Sequence, residues 1–414
     1  MRKSLICGTV VGLLLGATGF AAAAPGIPVG HLATYTGPTS DVGIPYGQGV
    51  ADAMDYINKQ GGINGKKLEF ETVDYSYNAP RAVATYKKWM ATNKPVAVQG
   101  WGTADTEALV QFIAQDNVFF MSASYSGHLT DPTGKAPKTK AAAPYNFFYG
   151  PSYSDACRGL VQWAAEDWKA SKKAGKPKFV HMGDNHPYPN APKDACADYA
   201  KELGFEVLPP IVYSLKPADA KAQCLSLKDS GANYAYMGNT SGSNVSLLKS
   251  CATVGVQTQF MANVWGWDEN SIKATGADGK GVVWPVGAAI WTDEAPGMKL
   301  VREISKTSDP AGKEARALHY MRGVCTTFFM RDAMTAADKA GGITGPNLKK
   351  AMEAMKDHVP AGLEGVCLPS TWTPEDHRGT NKVMIFRSDV KGDAVSMEKI
   401  FTAEIPRRPE WLGW

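Results

Sequence analysis

Trp101, Gly102 and Thr103 follow one short apolar run, residues 96–98, and Ser122, Ser124, Tyr125 and Ser126 follow another, residues 118–121. Both runs read as strands buried on two faces, so the hydroxyls and the indole stand at strand ends. In open α/β sheets, ligands lie beyond the carboxyl ends of strands, where backbone N–H groups at helix starts hold anions. Hydroxyls at such positions serve the same chemistry, and the stretch points to capture of a small carboxylate. Thr103 or Asp105 also serves as a cap for the helix outlined by Ala108, Leu109, Phe112 and Ile113, and the serines alone would pass as loop residues.

Catalytic signatures are poorly represented. Gly100, Gly102 and Asp105 come close to the dinucleotide-binding fingerprint. The carboxylate in place of the third glycine opposes a pyrophosphate, however, and the match falls in the third strand–helix unit instead of the first. There is no G-x-S-x-G elbow, no H-E-x-x-H helix and no P-loop. The seven histidines, His31, His128, His181, His186, His319, His358 and His377, lack metal-ligand spacing. His186, in the loop DNHPYPN, is placed either to meet a ligand or to face water. No cofactor and no metal are expected, and binding without catalysis is preferred over an enzyme on the same scaffold.

The elements that carry these residues alternate. Strand-like runs at residues 28–33, 68–73, 96–98 and 118–121 are separated by helical stretches, the pattern of a doubly wound parallel sheet. A polar loop at residues 130–144 and an aromatic strand at residues 145–149 end this unit, and the alternation resumes over residues 153–261. In that second unit, helices are expected at residues 191–203 and 218–228, with one strand over residues 205–212 between them. After Met261 the alternation fails, giving three helical stretches, one of them at residues 313–339, and a strand-like end. At 414 residues, two domains of α/β class are expected.

Two positive charges, an apolar run and small residues at Ala21 and Ala23 mark residues 1–23 as a secretory signal, so a soluble exported chain is expected. Cys7 precedes most of the apolar run and does not read as a lipid attachment site. The formal charge of +4 falls to about +2 without Arg2 and Lys3, and with no basic stripe this argues against nucleic acid. Six cysteines remain: Cys157, Cys196, Cys224, Cys251, Cys325 and Cys367. Their even number in an oxidising compartment suggests disulfides, with fifteen pairings open and unpaired buried thiols the alternative. None forms a C-x-x-C pair, which argues against zinc or redox chemistry.

Several segments together resemble the type I periplasmic solute-binding proteins of ABC importers, specifically the leucine/isoleucine/valine-binding family. They are TGPTSDVGIPYGQGVADAMDYIN, GGINGKKLEF, the end of the strand at Asp74 followed by NAPRAV, and FMSASYSGHLT. The resemblance implies two doubly wound lobes around a central cleft, joined by three crossovers near Phe148, Gly287 and Trp372. Lobe 1 would hold residues 24–148 and 288–371, and lobe 2 residues 149–287 and 372–414. It also implies a small-molecule ligand between the lobes, an inner-membrane permease as partner, a monomer and a periplasmic location. In a doubly wound lobe, the helix of Cys157 neighbours that of Cys196, and the helices of Cys224 and Cys251 share the other face. Cys325 and Cys367 remain as the third pair.

Carried onto this chain, the family residues that hold a ligand carboxylate match Thr103, Ser124 and Ser126. Tyr188 and the stretch Asn239, Thr240 and Ser241 fall where the second lobe closes. The acidic residue that receives an amino group should follow Met261 closely, but Ala262, Asn263, Val264 and Trp265 stand there, and only Asp268 or Glu269 could substitute. Trp101, Tyr125, Trp265 and Trp267 read as strand-end aromatics facing the cleft, and Trp284 and Trp291 flank the second crossover. The expected ligand is a small carboxylate with a hydrophobic or aromatic body: a branched-chain or other hydrophobic amino acid, or an aromatic acid. A ligand sensor that docks a receptor and, less favoured, a secreted α/β enzyme are the alternatives.

Overall fold

Short runs of β-branched and aromatic residues bounded by turns become the strands of two sheets. The computed structural model describes residues 25–414 except Pro217 and Asp393, and the expected signal segment with Cys7 lies outside the described residues. The first sheet is parallel. Its strands are β1 (Ile27–Ala33), β2 (Leu68–Asp74), β3 (Ala97–Gln99), β4 (Phe119–Ser122) and β5 (Asn146–Phe148), in the order β2-β1-β3-β4-β5. Val29 pairs with Phe70 and Ala97, and Met121 with Gln99 and Phe147. β3 and β4 are buried along their whole length, which accounts for their unbroken apolar runs. Helices α1 (Ser40–Lys59), α2 (Ala79–Ala91) and α3 (Thr103–Asp116) connect the first four strands. Asn78 caps α2 by accepting the Arg81 N–H, with Pro80 in the first turn.

The second sheet contains β6 (Lys178–Gly183), β7 (Glu206–Val207), β8 (Ile211–Val212), β9 (Tyr234–Met237), β10 (Gln259–Ala262), β11 (Val283–Pro285), β12 (Lys382–Lys391) and β13 (Ala394–Glu404). Its order is β13-β12-β11-β10-β9-β6-β7, with β8 also on β6. The pairing is parallel from β7 to β11, whereas β12 lies antiparallel on β11 and forms a hairpin with β13. Its helices are α4 (Tyr153–Ala170), α5 (Pro187–Asn190), α6 (Lys193–Glu202), α7 (Lys221–Ser230), α8 (Ser241–Thr253) and α9 (Glu269–Thr275). The single strand expected over residues 205–212 is interrupted at Pro209 and Pro210, which have no N–H to give to a ladder. The helix expected over residues 191–203 is α6, and α5 is a separate short turn just before it.

The segment after β11 returns to the first sheet with α10 (Met298–Ser305), α11 (Leu318–Lys339) and α12 (Gly345–Glu353). α11 lies along α1, and α12 packs against β4. Gly49 and Gly323 permit this approach, because a Cβ on either would overlap backbone of the opposite helix. The chain therefore passes between the two sheets three times: after β5, after β11 and before β12. Disulfides join α4 to α6 (Cys157–Cys196), α7 to α8 (Cys224–Cys251), and α11 to the segment before the last passage (Cys325–Cys367).

Candidate functional site

The strand ends of both sheets converge on one cavity. The first lobe lines it with Thr39, Tyr77, Trp101, Gly102, Thr103 and Ala123, and the second with Tyr153, Tyr188, Thr240 and Trp265. Its volume is about 10 Å³, room for one water molecule, because aromatic rings fill the space between the lobes. The Trp101 and Trp265 ring centres are 5.1 Å apart at a steep angle, and Tyr46 from α1 lies 5.2 Å from one and 5.5 Å from the other. Such edge-on contacts suit the quadrupoles of the rings. Hydrogen bonds fix their orientation: the Trp101 indole donates to the Thr39 hydroxyl at 3.0 Å, and the Trp265 indole to the Tyr153 hydroxyl at 3.1 Å.

Of the residues singled out in the sequence, Trp101, Gly102, Thr103, Tyr188, Thr240 and Trp265 line this cavity. Ser124 stands one layer behind and donates to the Thr103 hydroxyl at 2.8 Å. Tyr125 stacks on Phe148 and lies 5.3 Å from the Trp265 ring. Ser126 does not line the cavity; its hydroxyl donates to Glu107 and accepts the His128 N–H. Asn239 is a strut beneath the loop, donating to the Tyr213 and Ser214 carbonyls and accepting the Asp184 N–H. Trp267 is wholly buried beside Gly279 and does not line the cavity. Trp284 is wholly buried near Phe386, and Trp291 lies beside Arg302. His186 sits beside Tyr77, ring to ring at 5.2 Å across the lobes, and half-burial lowers its pKa.

The start of α3 is electrostatically occupied. The Gly102 N–H donates to the Tyr75 hydroxyl and to the Asp105 carboxylate, both at 3.2 Å. Asp105, not Thr103, therefore caps this helix. Burial pushes the Asp105 carboxyl up to about 6, against the Tyr75 hydroxyl bond that favours its charge. Asn263, in the stretch where the family places its acidic group, is committed to the fold. Its amide donates to the Met237 and Asn239 carbonyls, and its oxygen accepts from the Trp265 N–H and the Tyr188 hydroxyl.

Neither Asp268 nor Glu269 reaches the cavity. Asp268 caps α9 through the Ser271 N–H at 2.8 Å and lies 3.5 Å from the His319 Nε2. Glu269 accepts the Leu318 N–H at 3.0 Å, and burial followed by the nearby Asp268 charge pushes its carboxyl up to about 7. Burial likewise holds His319 well below its ordinary value, so the imidazole is neutral.

Five residues of the site escaped the sequence reading. Thr39 and Tyr77 follow β1 and β2, so the strand-end rule that found Trp101 reaches them as well. Tyr153 opens the helix after the first passage. Tyr46 and Arg322 lie inside helices and carry no local signal. Arg322 is buried with its guanidinium 5.0 Å from the Trp265 ring, and it lines a second cavity of about 10 Å³ with Tyr125, Tyr149, Val264 and Gly287. Across the mouth of the cleft, the Asp41 carboxylate on α1 accepts the Gly242 N–H of α8 at 2.6 Å. No described helix is long and apolar enough to cross a membrane, and the described residues contain no cluster of three or more His, Cys, Asp or Glu able to hold a metal.

Comparison with known proteins places this geometry. The profile of the family described as "Periplasmic binding protein" matches residues 26–394. The Leu/Ile/Val-binding protein homolog 1 of Brucella abortus (strain 2308) is 23% identical over 363 residues, covering 87% of this chain and 90% of that protein. Among solved structures, an ABC transporter substrate binding protein of Aeropyrum pernix is 27% identical, with a TM-score of 0.80 over 94% of this chain and 98% of its own. A branched chain amino acid ABC transporter protein from Thermus thermophilus with bound valine is 21% identical, with a TM-score of 0.79 over 92% of this chain and 97% of its own. A fatty acid ABC transporter substrate-binding protein from Thermomonospora curvata is 19% identical, with a TM-score of 0.77 over 92% of each chain. With nearly all of its described residues matched, the chain belongs to the periplasmic binding protein family, with the two-lobed type I fold of its structural neighbours.

Proposed function

We propose that this chain is the periplasmic substrate-binding component of an ABC importer, and that it captures a small carboxylate with a hydrophobic or aromatic body between its lobes. The carrying observation is the cavity lining. Five of its ten residues are aromatic, three are threonines and none is charged. A zwitterionic amino acid would leave its ammonium group without a partner there, since Asp268 and Glu269 are engaged elsewhere. An aromatic or branched acid without an amine avoids that cost. The named ligands of two structural neighbours, valine and fatty acid, share a carboxylate on an apolar body.

Micromolar affinity requires about 8 kcal/mol. Ring surface buried at about 25 cal/mol per Å² supplies much of it, less the cost of ordering the ligand. The 10 Å³ cavity admits no such ligand unless the lobes part about their three connections. The family and the signal pattern of residues 1–23 support delivery to a membrane permease and a periplasmic location.

The second reading is a branched-chain amino acid, favoured by the names of the Brucella relatives. Thermal unfolding with benzoate, phenylacetate, leucine and valine separates the two. A ligand at a hundred times its Kd adds about 2.7 kcal/mol of stability. Stabilisation by the aromatic acids is expected. Stabilisation by leucine and valine alone would establish the second reading.

A further inference from the structure

Four arginines are almost wholly buried: Arg158, Arg316, Arg322 and Arg378. Three have a carboxylate partner: Asp155 lies 2.8 Å from Arg158, Glu314 lies 2.6 Å from Arg316, and Asp376 lies 2.7 Å from Arg378. Arg322, 1% exposed, has no carboxylate at ion-pair distance among the described residues. Its Nη groups donate to the Val264 and Pro285 carbonyls, and its Nε has no partner. Glu269 and Asp268 act on it only from further away, and each already serves a backbone N–H. A buried cation without a counter-ion is costly, so its retention at the seam between lobes calls for an anion that comes and goes.

We infer that Arg322 pairs with the carboxylate of the captured ligand, reached when the Trp265 indole turns aside as the lobes part. The Trp265 ring lines the main cavity and also lies 5.0 Å from the guanidinium, which makes it the link between the two. The start of α3 is a poorer anion site, because Asp105 already places a buried carboxyl there. Arginine presents a planar fork that matches a carboxylate in two parallel hydrogen bonds, with Nε available for one of them. The inference rests on the carboxylate reading of the cleft proposed above.

Calorimetry on wild type and Arg322→Gln tests it, using phenylacetate beside phenylacetamide and leucine beside leucinamide. Glutamine keeps donors for the Val264 and Pro285 carbonyls but removes the charge. Wild type is expected to prefer acid over amide by about 30-fold, and the variant by less than about threefold. Arg322→Lys, which keeps the charge but not the planar fork, is expected to retain part of the preference; if Arg322→Gln does not fold, an acid preference undiminished in Arg322→Lys overturns the inference. An undiminished preference in Arg322→Gln would make Arg322 a brace for the two carbonyls and overturn it too. If leucine binds and phenylacetate does not, the aromatic reading fails, while the leucine-to-leucinamide ratio still decides the role of Arg322. Binding of neither acid overturns both.

Discussion

A guanidinium lies on an indole in two regions of the molecule. In the second lobe, Arg158 of α4 sits 4.1 Å from the Trp411 ring, and at the seam between lobes, Arg322 of α11 sits 5.0 Å from Trp265. Both side chains are 1% exposed, and both leave guanidinium nitrogens without partners. What separates them is the counter-ion. Asp155, one turn earlier on the same helix, meets Arg158, whereas nothing within reach on α11 meets Arg322. The same pair of groups braces a lobe where the chain supplies its own carboxylate, and serves recognition where it does not.

The largest expected effect removes that distinction. Asp155→Ala strands Arg158 and should cost about 3 to 5 kcal/mol in denaturant unfolding. Arg322→Gln should cost no more than about 1 kcal/mol, since no ion pair is broken. Equal losses at the two sites would erase the comparison.

Each arginine also lies close to a disulfide. Cys157–Cys196 begins one residue before Arg158, and Cys325–Cys367 begins three residues after Arg322. Replacing either pair by alanine should cost about 2 to 4 kcal/mol by urea titration. Only the second pair holds α11 at the seam, so ligand affinity should fall in that variant alone. Weakened binding in both would mean that lobe stability, not seam geometry, governs recognition.

Glu269 sharpens the contrast through pH. Burial and then Asp268 raise its carboxyl from 4.5 to about 7, so the folded protein holds this proton more tightly than the unfolded chain. The stability it contributes is complete below about pH 4.5 and is lost as pH rises through about 7. Glu269→Gln should therefore gain on wild type in melting temperature between about pH 5 and about pH 8. The opposite trend would make Glu269 the hidden counter-ion of Arg322.

How far these features were readable in the sequence follows from how local they are. The parallel strands were legible because each buried one is a short apolar run with turn residues on both sides, as at residues 96–98 and 118–121. Element limits shifted where one residue outweighed the pattern: Pro209 and Pro210 split a strand, and α11 begins at Leu318, five residues beyond the expected start at residue 313. Trp101, Thr103 and Trp265 were legible because strand ends face the cleft. Arg322 was not. A mid-helix arginine reads as solvent-facing until α1 and the second lobe cover it, and a missing counter-ion is a fact about distant segments.

The smallest effect concerns closure. Asp41→Asn weakens the contact to the α8 start and should reduce affinity by about two- to fivefold, the equivalent of about 0.3 to 1 kcal/mol for a charge at a helix terminus. Calorimetric titrations of the wild type and the variant read it directly, and an unchanged affinity would remove Asp41 from the account.

The central claim, that the cleft takes a small acid on an apolar body and not an amino acid, is tested most directly by titrating the wild-type protein with phenylacetate and with leucine in the same calorimeter. The account predicts binding of phenylacetate with a negative heat-capacity change from ring burial, and at least about tenfold weaker binding of leucine, whose ammonium finds no partner among the ten lining residues. Tight leucine binding with no response to phenylacetate would contradict it.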